Sequence, residues 1–415
     1  MTTRKVAVTG MGCITPVGKD VKTFWESIST GKHGFGNITR FDTTNCKAKL
    51  AAEIKDFNVL DYMTAQEAKR TDLYAQYAIA AAQEAISDSG IAGKVEPERF
   101  GIYVGSGIGG METYNAQVEI CLNKGPNRVS PLFVPMTIAN IASALIAIKH
   151  NARGPNLPII SACATSTHAI GEAFRAIKHG YADVIIAGGA DATINKPAIG
   201  GFGNAHALTT STDPDNCSIP FDARRSGFVM GEGAGMIVLE EYEHAVNRGA
   251  NIYCVITGYG NTCDAYHITA PQPEAVASSQ MIRLVFTESG KPADESLYIN
   301  AHGTSTPLND KGETMAIKLA LGEELARKIV ISSTKSMTGH LLGAAGGIEA
   351  IAAIKALNTG IIPPTAGLRE ADPECDLDYV PITARQKQVN RVMSISTGFG
   401  GHNAGILFER PAVGS

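Results

Sequence analysis

Four short segments place reactive or hydrogen-bonding side chains directly after apolar stretches that are typical of strands. They are Cys163 in "SACATS", His302 in "NAHGTST", Lys335 with His340 in "SSTKSMTGHLLGAAGG", and the glycine-rich "STGFGGHNAG" near the end. A cysteine can act as a nucleophile, and an imidazole can stabilise negative charge that develops beside it. Because sites of α/β proteins lie beyond the carboxyl ends of strands, we expect these segments to converge on one crevice.

Cys163 follows a predicted buried strand end at residues 158–160 and precedes a helix indicated by apolar residues at helical spacing. The amides and dipole at the start of a helix stabilise negative charge, so we expect a lowered thiol pKa and a larger thiolate fraction. A lone cysteine is also compatible with a small buried hydrophobe, and His302 with a structural histidine. Lys335 is also compatible with a plain ion pair to Glu349. Together the four segments favour a catalytic site.

Strand-like and helix-like segments alternate along the chain, which predicts an α/β protein. Apolar runs such as "KVAVTGMG" and "DVIIAGGA" predict strands, while "AQEAKRTDLYAQYAIAAAQEAISDSG" and "GIEAIAAIKALNTG" each predict one helix that ends at a glycine. "YVGSG", "IISACATST" and a helix are echoed by "YINAHGTST", "VISSTKSMTGH" and a helix, which predicts two similar halves. We place the nucleophile in residues 1–250 and both histidines in residues 251–415.

Bulk composition argues against several classes of function. The 415 residues are 44% hydrophobic with a net charge of -4 and a pI near 6.2, so the chain has no general attraction to nucleic acid or anionic membranes. The eight cysteines show no zinc-site spacing and are typical of free thiols in a reducing compartment. No apolar run is long enough to span a membrane, and "GSGIGG" lacks the acidic residue of a dinucleotide site. We expect a soluble cytoplasmic protein without a metal or cofactor.

Longer stretches around these segments resemble the β-ketoacyl-acyl carrier protein synthases, most closely the elongating synthase II type. The similarity runs through "VAVTGMGCITPVG", "ISACATSTHAIG", "IPFDARRSGFVMGEGAGMIVLEEYEHAVNRGA", "NAHGTSTPLNDKGE" and "SSTKSMTGHLLGAAGGIEA", and it covers essentially the whole chain. The resemblance implies a thiolase-like fold whose two similar halves form α-β-α-β-α layers. It also implies an acyltransferase that condenses malonyl-acyl carrier protein with an enzyme-bound acyl chain in fatty acid elongation.

The resemblance assigns roles to individual positions, motif by motif. Cys163 is the expected nucleophile, His302 and His340 are the two catalytic histidines, and Lys335 tunes the site. The backbone amides of Cys163 and Phe399 are expected to hold the tetrahedral oxyanion, with Phe399 and Gly400 in a gate. The substrate-binding positions implied are Ile108 at the acyl pocket, Thr304 and Thr306 along the pantetheine arm, Phe202 and Glu349.

The implied partner is an acyl carrier protein loaded with an acyl or malonyl group, whose phosphopantetheine brings the substrate. An acidic carrier would be steered by positive charge at the entrance, which the resemblance places at Lys69, Arg70, Lys124 and Arg128. Each of these is also compatible with a solvated surface charge, the two threonines with a turn, and Ile108 with an apolar contact across a dimer. A homodimer is expected, and a heterodimer is the alternative.

The glycine-rich loop departs from the family pattern. The family's Asn-Ser-Phe-Gly-Phe-Gly-Gly is here "ISTGFGG", with Ile395 at the asparagine position and Thr397 at the first phenylalanine. A small polar residue beside the gate would widen the pocket or alter the gate motion. A type II polyketide ketosynthase with the same Cys-His-His chemistry is therefore the main alternative, and a non-catalytic heterodimer partner is a second one.

Overall fold

The computed structural model describes residues 3–411. Its strands are Val6–Ile14 (β1), Gly36–Asn37 (β2), Leu50–Ala52 (β3), Phe100–Gly105 (β4), Val184–Asp191 (β5), Met230–Gly231 (β6), Gly233–Glu241 (β7), Cys254–Cys263 (β8), Leu297–Asn300 (β9), Val330–Ser332 (β10), Ile361–Ile362 (β11), Arg385–Gln386 (β12), Arg391–Gly398 (β13) and His402–Glu409 (β14). Its α-helices are Val21–Ser29 (α1), Ala65–Ala68 (α2), Leu73–Ser89 (α3), Met111–Lys124 (α4), Phe133–Thr137 (α5), Ile141–His150 (α6), Thr165–Lys178 (α7), Lys196–Asn204 (α8), Tyr242–Asn247 (α9), Val276–Ser289 (α10), Pro307–Leu321 (α11), Glu323–Ala326 (α12), Lys335–Thr338 (α13) and Ala345–Thr359 (α14).

The largest sheet of the described chain has nine strands in the order β10-β9-β13-β14-β8-β1-β7-β5-β4. From its centre outwards, β1-β7-β5-β4 repeats the pattern of β8-β14-β13-β9, with two antiparallel junctions followed by a parallel one. The two series meet where β1 pairs with β8. This repeat confirms the predicted α/β class and its two similar halves. The division expected near residue 250 falls between α9 and β8.

Helices form layers on both sides of these strands. The two central helices, α7 and α14, pack against each other and contact strands of both halves. On the outer faces, α3 and α6 cover β1, β4 and β7, while α10, backed by α11, covers β8 and β14. The arrangement matches the expected α-β-α-β-α layers. Because α14 is enclosed by neighbours, apolar residues occur all around it rather than on one stripe.

The prediction of a buried strand that ends at residues 158–160 is wrong in two respects. This segment follows β4 through a bridge between Asn156 and Ile102, but it is not part of a regular strand. Leu157 and Ile160 are 46% and 56% exposed rather than buried. The reason is that the sheet of the described chain ends beside β4, so nothing covers the far side of this segment.

The single helix predicted over residues 65–90 is two helices, α2 and α3. Thr64 and Glu67 form a reciprocal capping box at the start of α2. Asp72 then caps α3 by accepting a hydrogen bond from the Tyr74 N–H. The end of α3 is as predicted, since Gly90 adopts the left-handed conformation that ends a helix.

Candidate active site

Cys163 lies on a 3-10 turn, Ala162–Ala164, that leads into α7. The turn begins with Ala162 at φ 50°, a left-handed value that is rare for a residue with a side chain. Gly398, at the end of β13, lies against this turn, and a Cβ at its position would be 3.2 Å from the Cys163 nitrogen. The absence of a side chain at Gly398 therefore lets the glycine-rich loop approach the nucleophile turn closely.

All four chemical segments of the sequence reach one cavity of about 300 Å³. Cys163, His302 and His340 line it together with Gly398 and Phe399 of the glycine-rich loop. Its wall also contains three of the implied substrate-binding residues, Phe202, Thr304 and Thr306. The structure thus brings together residues that are as far as 236 positions apart in the chain, between Cys163 and Phe399.

The two imidazoles are neutral donors directed by hydrogen bonds behind them. The Lys335 ammonium donates to His302 Nδ1 at 3.4 Å, and the Leu342 N–H donates to His340 Nδ1 at 3.3 Å. Since a neutral imidazole has one acceptor nitrogen, Nε2 carries the proton in both rings. Burial lowers the pKa of both histidines well below the ordinary value, and the Lys335 charge lowers it further. The cavity therefore contains two N–H donors that do not carry charge.

Lys335 and Glu349 form a buried ion pair behind His302. The ammonium also donates to the His302 carbonyl oxygen at 2.6 Å, and both charged side chains are only 1% exposed. Holding the carbonyl and Nδ1 of one histidine fixes both its backbone and its ring. In this position the Lys335 charge lowers the pKa of His302, His340 and Cys163. The ion pair does not test whether Lys335 or Glu349 is catalytic.

The lowered pKa expected for Cys163 is wrong for the enzyme without substrate. Burial raises the pKa of this thiol to about 12, opposed by Lys335 and by the Phe399 N–H, and reinforced by the carboxylates of Asp191 and Glu349. Desolvation outweighs the donors because a thiolate of the half-buried Cys163 loses part of its hydration. Burial beside the cavity therefore favours the neutral thiol of Cys163 over the thiolate.

Two carboxylates that the sequence reasoning missed hold the His302 loop. Glu313 accepts hydrogen bonds from the N–H groups of His302 and Gly303 at 2.7 and 2.8 Å, and Asp310 accepts one from Thr304 at 3.0 Å. Burial raises the pKa of Glu313 to about 7. The signal was present in the sequence, because the acidic residues of "NDKGE" follow "HGTST" within the first turns of α11.

Known proteins are similar to this chain over nearly its full length. The family models for the β-ketoacyl synthase N-terminal and C-terminal domains match residues 3–245 and 253–369. The chain belongs to the β-ketoacyl synthase family. It is 47% identical over 409 residues to a Synechocystis protein named 3-oxoacyl-[acyl-carrier-protein] synthase 2, covering 98% of each chain. Enzymes of this kind are acyltransferases that form carbon–carbon bonds, and the thiolase-like fold is confirmed.

Two solved structures are similar along their full length. The ishigamide ketosynthase/chain length factor shares 33% identity with a TM-score of 0.92, over 99% of this chain and 100% of that one. The second structure is the complex of a type II polyketide synthase acyl-carrier protein with its ketosynthase. One of its chains is 30% identical to this chain, with a TM-score of 0.91, over 99% of this chain and 100% of that one.

His340 of this synthase is held by the first half of the molecule. The backbone N–H of His340 donates to the Val229 carbonyl at 2.8 Å, and its backbone carbonyl accepts from the Gly231 N–H at 2.9 Å. Its ring lies edge-on to Phe228, with ring centroids 5.0 Å apart. The catalytic cavity is therefore built between the halves, and neither half contains the whole of it.

The glycine-rich loop closes one side of the cavity. The Phe399 ring lies 6.1 Å from Phe202, which contacts Phe228 in turn. Thr397, the departure noted in the sequence, donates to Asn309 Oδ1 at 3.0 Å, so its partner is at the start of α11. Gly400 lies in the turn beyond, where its N–H donates to the Ile268 carbonyl at 2.8 Å.

The structure separates the remaining predicted residues from the cavity wall. Ile108 is 40% exposed and is absent from the lining of this cavity, although its loop lies behind the Cys163 turn. The four basic positions expected to bind the carrier protein are all exposed: Lys69, Arg70, Lys124 and Arg128. Among residues 3–411, no group of three or more His, Cys, Asp or Glu side chains could hold a metal, and no helix could cross a membrane.

Proposed function

We propose that this synthase extends acyl chains in fatty acid elongation by condensing them with malonyl-acyl carrier protein. The observation that carries the proposal is the pairing of one half-buried thiol with two neutral imidazole donors at a single cavity. A thiol provides covalent storage of the acyl group, and uncharged donors stabilise an enolate without protonating it. The combination suits decarboxylative condensation better than hydrolysis, which would require a base to activate water.

In the first step, Cys163 sulfur attacks the carbonyl carbon of the acyl thioester. The oxyanion lies near the backbone N–H groups of Cys163 and Phe399, and the Phe399 N–H already faces the sulfur. The bond to the pantetheine sulfur then breaks, and that sulfur leaves as a thiol with the proton that Cys163 gave up. The acyl group is now a thioester of Cys163.

In the second step, malonyl thioester loses carbon dioxide and leaves an enolate. Its oxygen accepts hydrogen bonds from Nε2–H of His302 and His340, whose lowered pKa values keep them from delivering a proton to the carbanion. The carbanion then attacks the Cys163 thioester, so one carbon–carbon bond forms, the carbon–sulfur bond breaks, and the released Cys163 thiolate takes up one proton from solvent. Lys335 acts in both steps by fixing His302 and favouring a negative charge on sulfur.

The substrates arrive on an acyl carrier protein that binds at an exposed basic surface. Lys69, Arg70, Lys124 and Arg128 supply that charge, and a positive surface speeds the encounter with an acidic partner. Thr304 and Thr306, whose hydroxyls are 2.8 Å apart on the cavity wall, are suited to the pantetheine arm. No separate cofactor is required. The eight free cysteines are typical of a reducing compartment, and we therefore place the reaction in the cytoplasm.

We further propose that the enzyme is a homodimer formed at the edge beside β4. Leu157 and Ile160 expose apolar side chains there, and an open sheet edge with such residues is a template for a second chain. Ile108 is exposed as well, so its contact in the dimer would decide whether it ends an acyl pocket. A heterodimer with a related chain is the alternative outcome of an oligomer measurement.

A second candidate is polyketide extension, which the gate loop favours. Thr397 replaces an aromatic ring by a hydroxyl that faces Asn309, and both residues line the cavity. A polar wall of this kind would tolerate oxygen atoms on an unreduced chain. The catalytic residues serve both reactions, so substrate choice alone separates them.

Intact-mass spectrometry separates the two candidates. The enzyme is mixed with carrier proteins charged from hexanoyl to palmitoyl, or with acetyl and polyketo groups, and malonyl carrier protein is added next. Saturated chains that bind to Cys163 and gain one two-carbon unit support fatty acid elongation. Refusal of these chains, with repeated extension of acetyl or polyketo groups, supports the polyketide reaction. Absence of any adduct on Cys163 with every carrier would overturn both.

A further inference from the structure

Besides the two histidines of the condensation step, His206 and His402 line the catalytic cavity. His402 is the first residue of β14, and its cross-strand partner is Gly398 at the end of β13. Directly opposite residues of an antiparallel pair present their side chains on the same face of the sheet. Because a Cβ at Gly398 would lie 3.2 Å from the Cys163 nitrogen, the His402 side chain also leaves the sheet on the side of the nucleophile turn.

The helix that follows Cys163 contacts the His402 ring. His168 on α7 lies edge-on to it, with ring centroids 6.0 Å apart. A Cβ at Gly400 would lie 3.2 Å from His402 Nε2, so the glycine leaves room beside this nitrogen. His402 also lines a second cavity, of about 500 Å³, whose wall includes several residues of α7. The imidazole therefore borders two cavities next to the nucleophile turn.

The histidines of the cavity differ in whether their ring nitrogens are occupied. In His302 and His340, Nδ1 accepts a hydrogen bond and Nε2 carries the proton. Burial and the Lys335 charge also disfavour the charged form of both rings, which lowers their pKa values. Within residues 3–411, no other residue forms a hydrogen bond or ion pair with the His402 ring. His402 therefore has a nitrogen that is free to accept a proton.

Acyl transfer requires a group that accepts a proton. Burial favours the neutral thiol of Cys163, so the proton has to leave the sulfur during its attack and reach the pantetheine sulfur that departs. His302 and His340 are unsuited to carry it, because a second proton would give each ring a charge that burial disfavours. A neutral imidazole with an unoccupied nitrogen in the same wall provides this transfer.

We propose that His402 is the general base of acyl transfer, which takes the proton of the Cys163 thiol and returns it to the departing pantetheine sulfur. The proposal rests on the function proposed above, because it requires that acyl groups are transferred to Cys163. As the new carbon–sulfur bond forms, the S–H bond breaks and one nitrogen of His402 gains the proton. As the old carbon–sulfur bond breaks, the imidazolium gives the proton to the pantetheine sulfur, so the ring ends neutral.

The same imidazole favours attack by sulfur over attack by water. Bulk water has a pKa of about 15.7, whereas burial raises the pKa of the Cys163 thiol only to about 12. The base therefore removes a proton from the thiol more readily than from water, which suits storage of the acyl group.

The surroundings of His402 are compatible with a transient imidazolium. Burial lowers the pKa of His168 to about 4, so this neighbouring imidazole stays neutral when His402 gains a proton. The other titratable or charged groups that share a cavity wall or a strand pair with His402 on this side are Glu172, Arg175, His179, Tyr103, Tyr181, Tyr259, Cys263 and Asp264. The guanidinium among them, Arg175, is already paired with Glu172 and Glu288.

His402→Gln is the direct test, because glutamine keeps a polar side chain but does not accept a proton. We expect the rate of hexanoyl transfer from the carrier protein to Cys163 to fall about hundredfold, the lower end of the effect of a general base. The acid limb of the pH–rate profile for this transfer should disappear as well. Release of carbon dioxide from malonyl carrier protein should stay unchanged, because that step uses only the Nε2–H donors of His302 and His340. Rapid-quench intact-mass spectrometry and carbon dioxide release measure the two activities.

Two further variants complete the test. In His402→Ala, imidazole added to the buffer should restore part of the lost transfer rate, because it replaces the missing base. His179→Gln is the matched control, since His179 lines the second cavity but not the catalytic one. It should leave both transfer and decarboxylation unchanged.

Three results would contradict this role of His402. They are transfer at the parental rate in His402→Gln, an equal loss of transfer and decarboxylation in that variant, and disappearance of the acid limb in His206→Gln instead. The second result would show that the ring only supports the structure of the cavity. If the unmodified enzyme transfers no acyl group from any carrier protein, the proposed function fails instead.

Discussion

Two turns of the molecule have the same backbone and opposite surroundings. Ala162–Ala164 and Leu342–Ala344 are both 3-10 turns that lead into a central helix, and both begin at a residue with φ near 50°. The first has Cys163 at its centre and faces the catalytic cavity. The second has Gly343 at the same place and is buried against the loop of residues 106–108 that follows β4. The repeated fold therefore provides two equivalent positions, and only one of them is open to substrate.

The difference also shows how the second turn contributes without a reactive side chain. Its Leu342 N–H fixes the His340 tautomer, while Gly343 donates to Asp191 and accepts from the Ser166 hydroxyl on α7. The first turn instead lies beside the Phe399 N–H, which faces the thiol. The two similar halves thus contain one turn that presents a thiol to the cavity and another that positions the groups around it.

The largest effect is expected from Cys163→Ala, which removes the thiol from the cavity wall. Acyl transfer and condensation should fall below detection, because the thiol that stores the acyl group is gone. Decarboxylation of malonyl carrier protein should persist, since both imidazole donors remain. Intact-mass spectrometry and carbon dioxide release measure the two activities separately.

The matched control for this variant is Cys121→Ala, which removes a half-buried thiol on α4, away from the cavity wall. It should leave acyl transfer and condensation unchanged. Condensation that survives in Cys163→Ala would contradict the assignment of the nucleophile. Loss of decarboxylation together with condensation would instead show that the thiol, and not the second turn, organises the histidine donors.

Gly343→Ala is expected to have the next largest effect, since it adds one carbon to the buried turn. The new Cβ would lie 2.5 Å from the Gly107 nitrogen and 2.6 Å from an Asp191 oxygen, so backbone must shift. Overpacking of this kind costs about 1–3 kcal/mol of unfolding free energy. Condensation should also fall about tenfold, because movement of Leu342 misplaces the His340 ring. Thermal unfolding and steady-state condensation rates measure both effects.

Gly201→Ala provides the comparison, because a Cβ at this exposed position of α8 has no neighbour within 4 Å. In a helix interior, alanine is more stable than glycine by about 1 kcal/mol, so the melting temperature should stay the same or rise. A Gly343→Ala enzyme that is equally stable and equally active would show that the second turn has free space and does not position His340.

The sequence predicted the residues at the cavity because each lies in a local motif beside an apolar segment, although the segment before Cys163 is not a regular strand. The positions of Cys163, His302 and His340, and the echo between halves, depend on short-range patterns that folding preserves. The thiol pKa depends on burial by segments far away in the chain, such as the glycine-rich loop, and this reversed the expected direction. The contacts of Asp191 with both halves likewise appear only when the chain is folded.

The wrong predictions of local structure also arise from contacts that a local sequence pattern does not contain. Residues 158–160 have the composition of a buried strand, but their burial depends on whether another strand lies beside them. The break between α2 and α3 depends on Asp72 accepting a hydrogen bond from the backbone, which competes with continuation of the helix. The roles of Ile108 and of the four basic surface residues stay predictions, since they concern a partner chain or a carrier protein.

The smallest effect is expected from Thr397→Val, which tests the glycine-rich loop beside the first turn. Valine keeps the branched shape and removes the hydroxyl that donates to Asn309 Oδ1 at 3.0 Å. Loss of one partly buried hydrogen bond should change the condensation rate with saturated chains by no more than about fivefold. Thr359→Val, which removes an exposed hydroxyl bonded to the Lys355 carbonyl, is the control for the substitution itself. A loss above about a hundredfold, confined to polyketo chains, would show that the Thr397 hydroxyl contacts substrate oxygen and would favour the polyketide reaction.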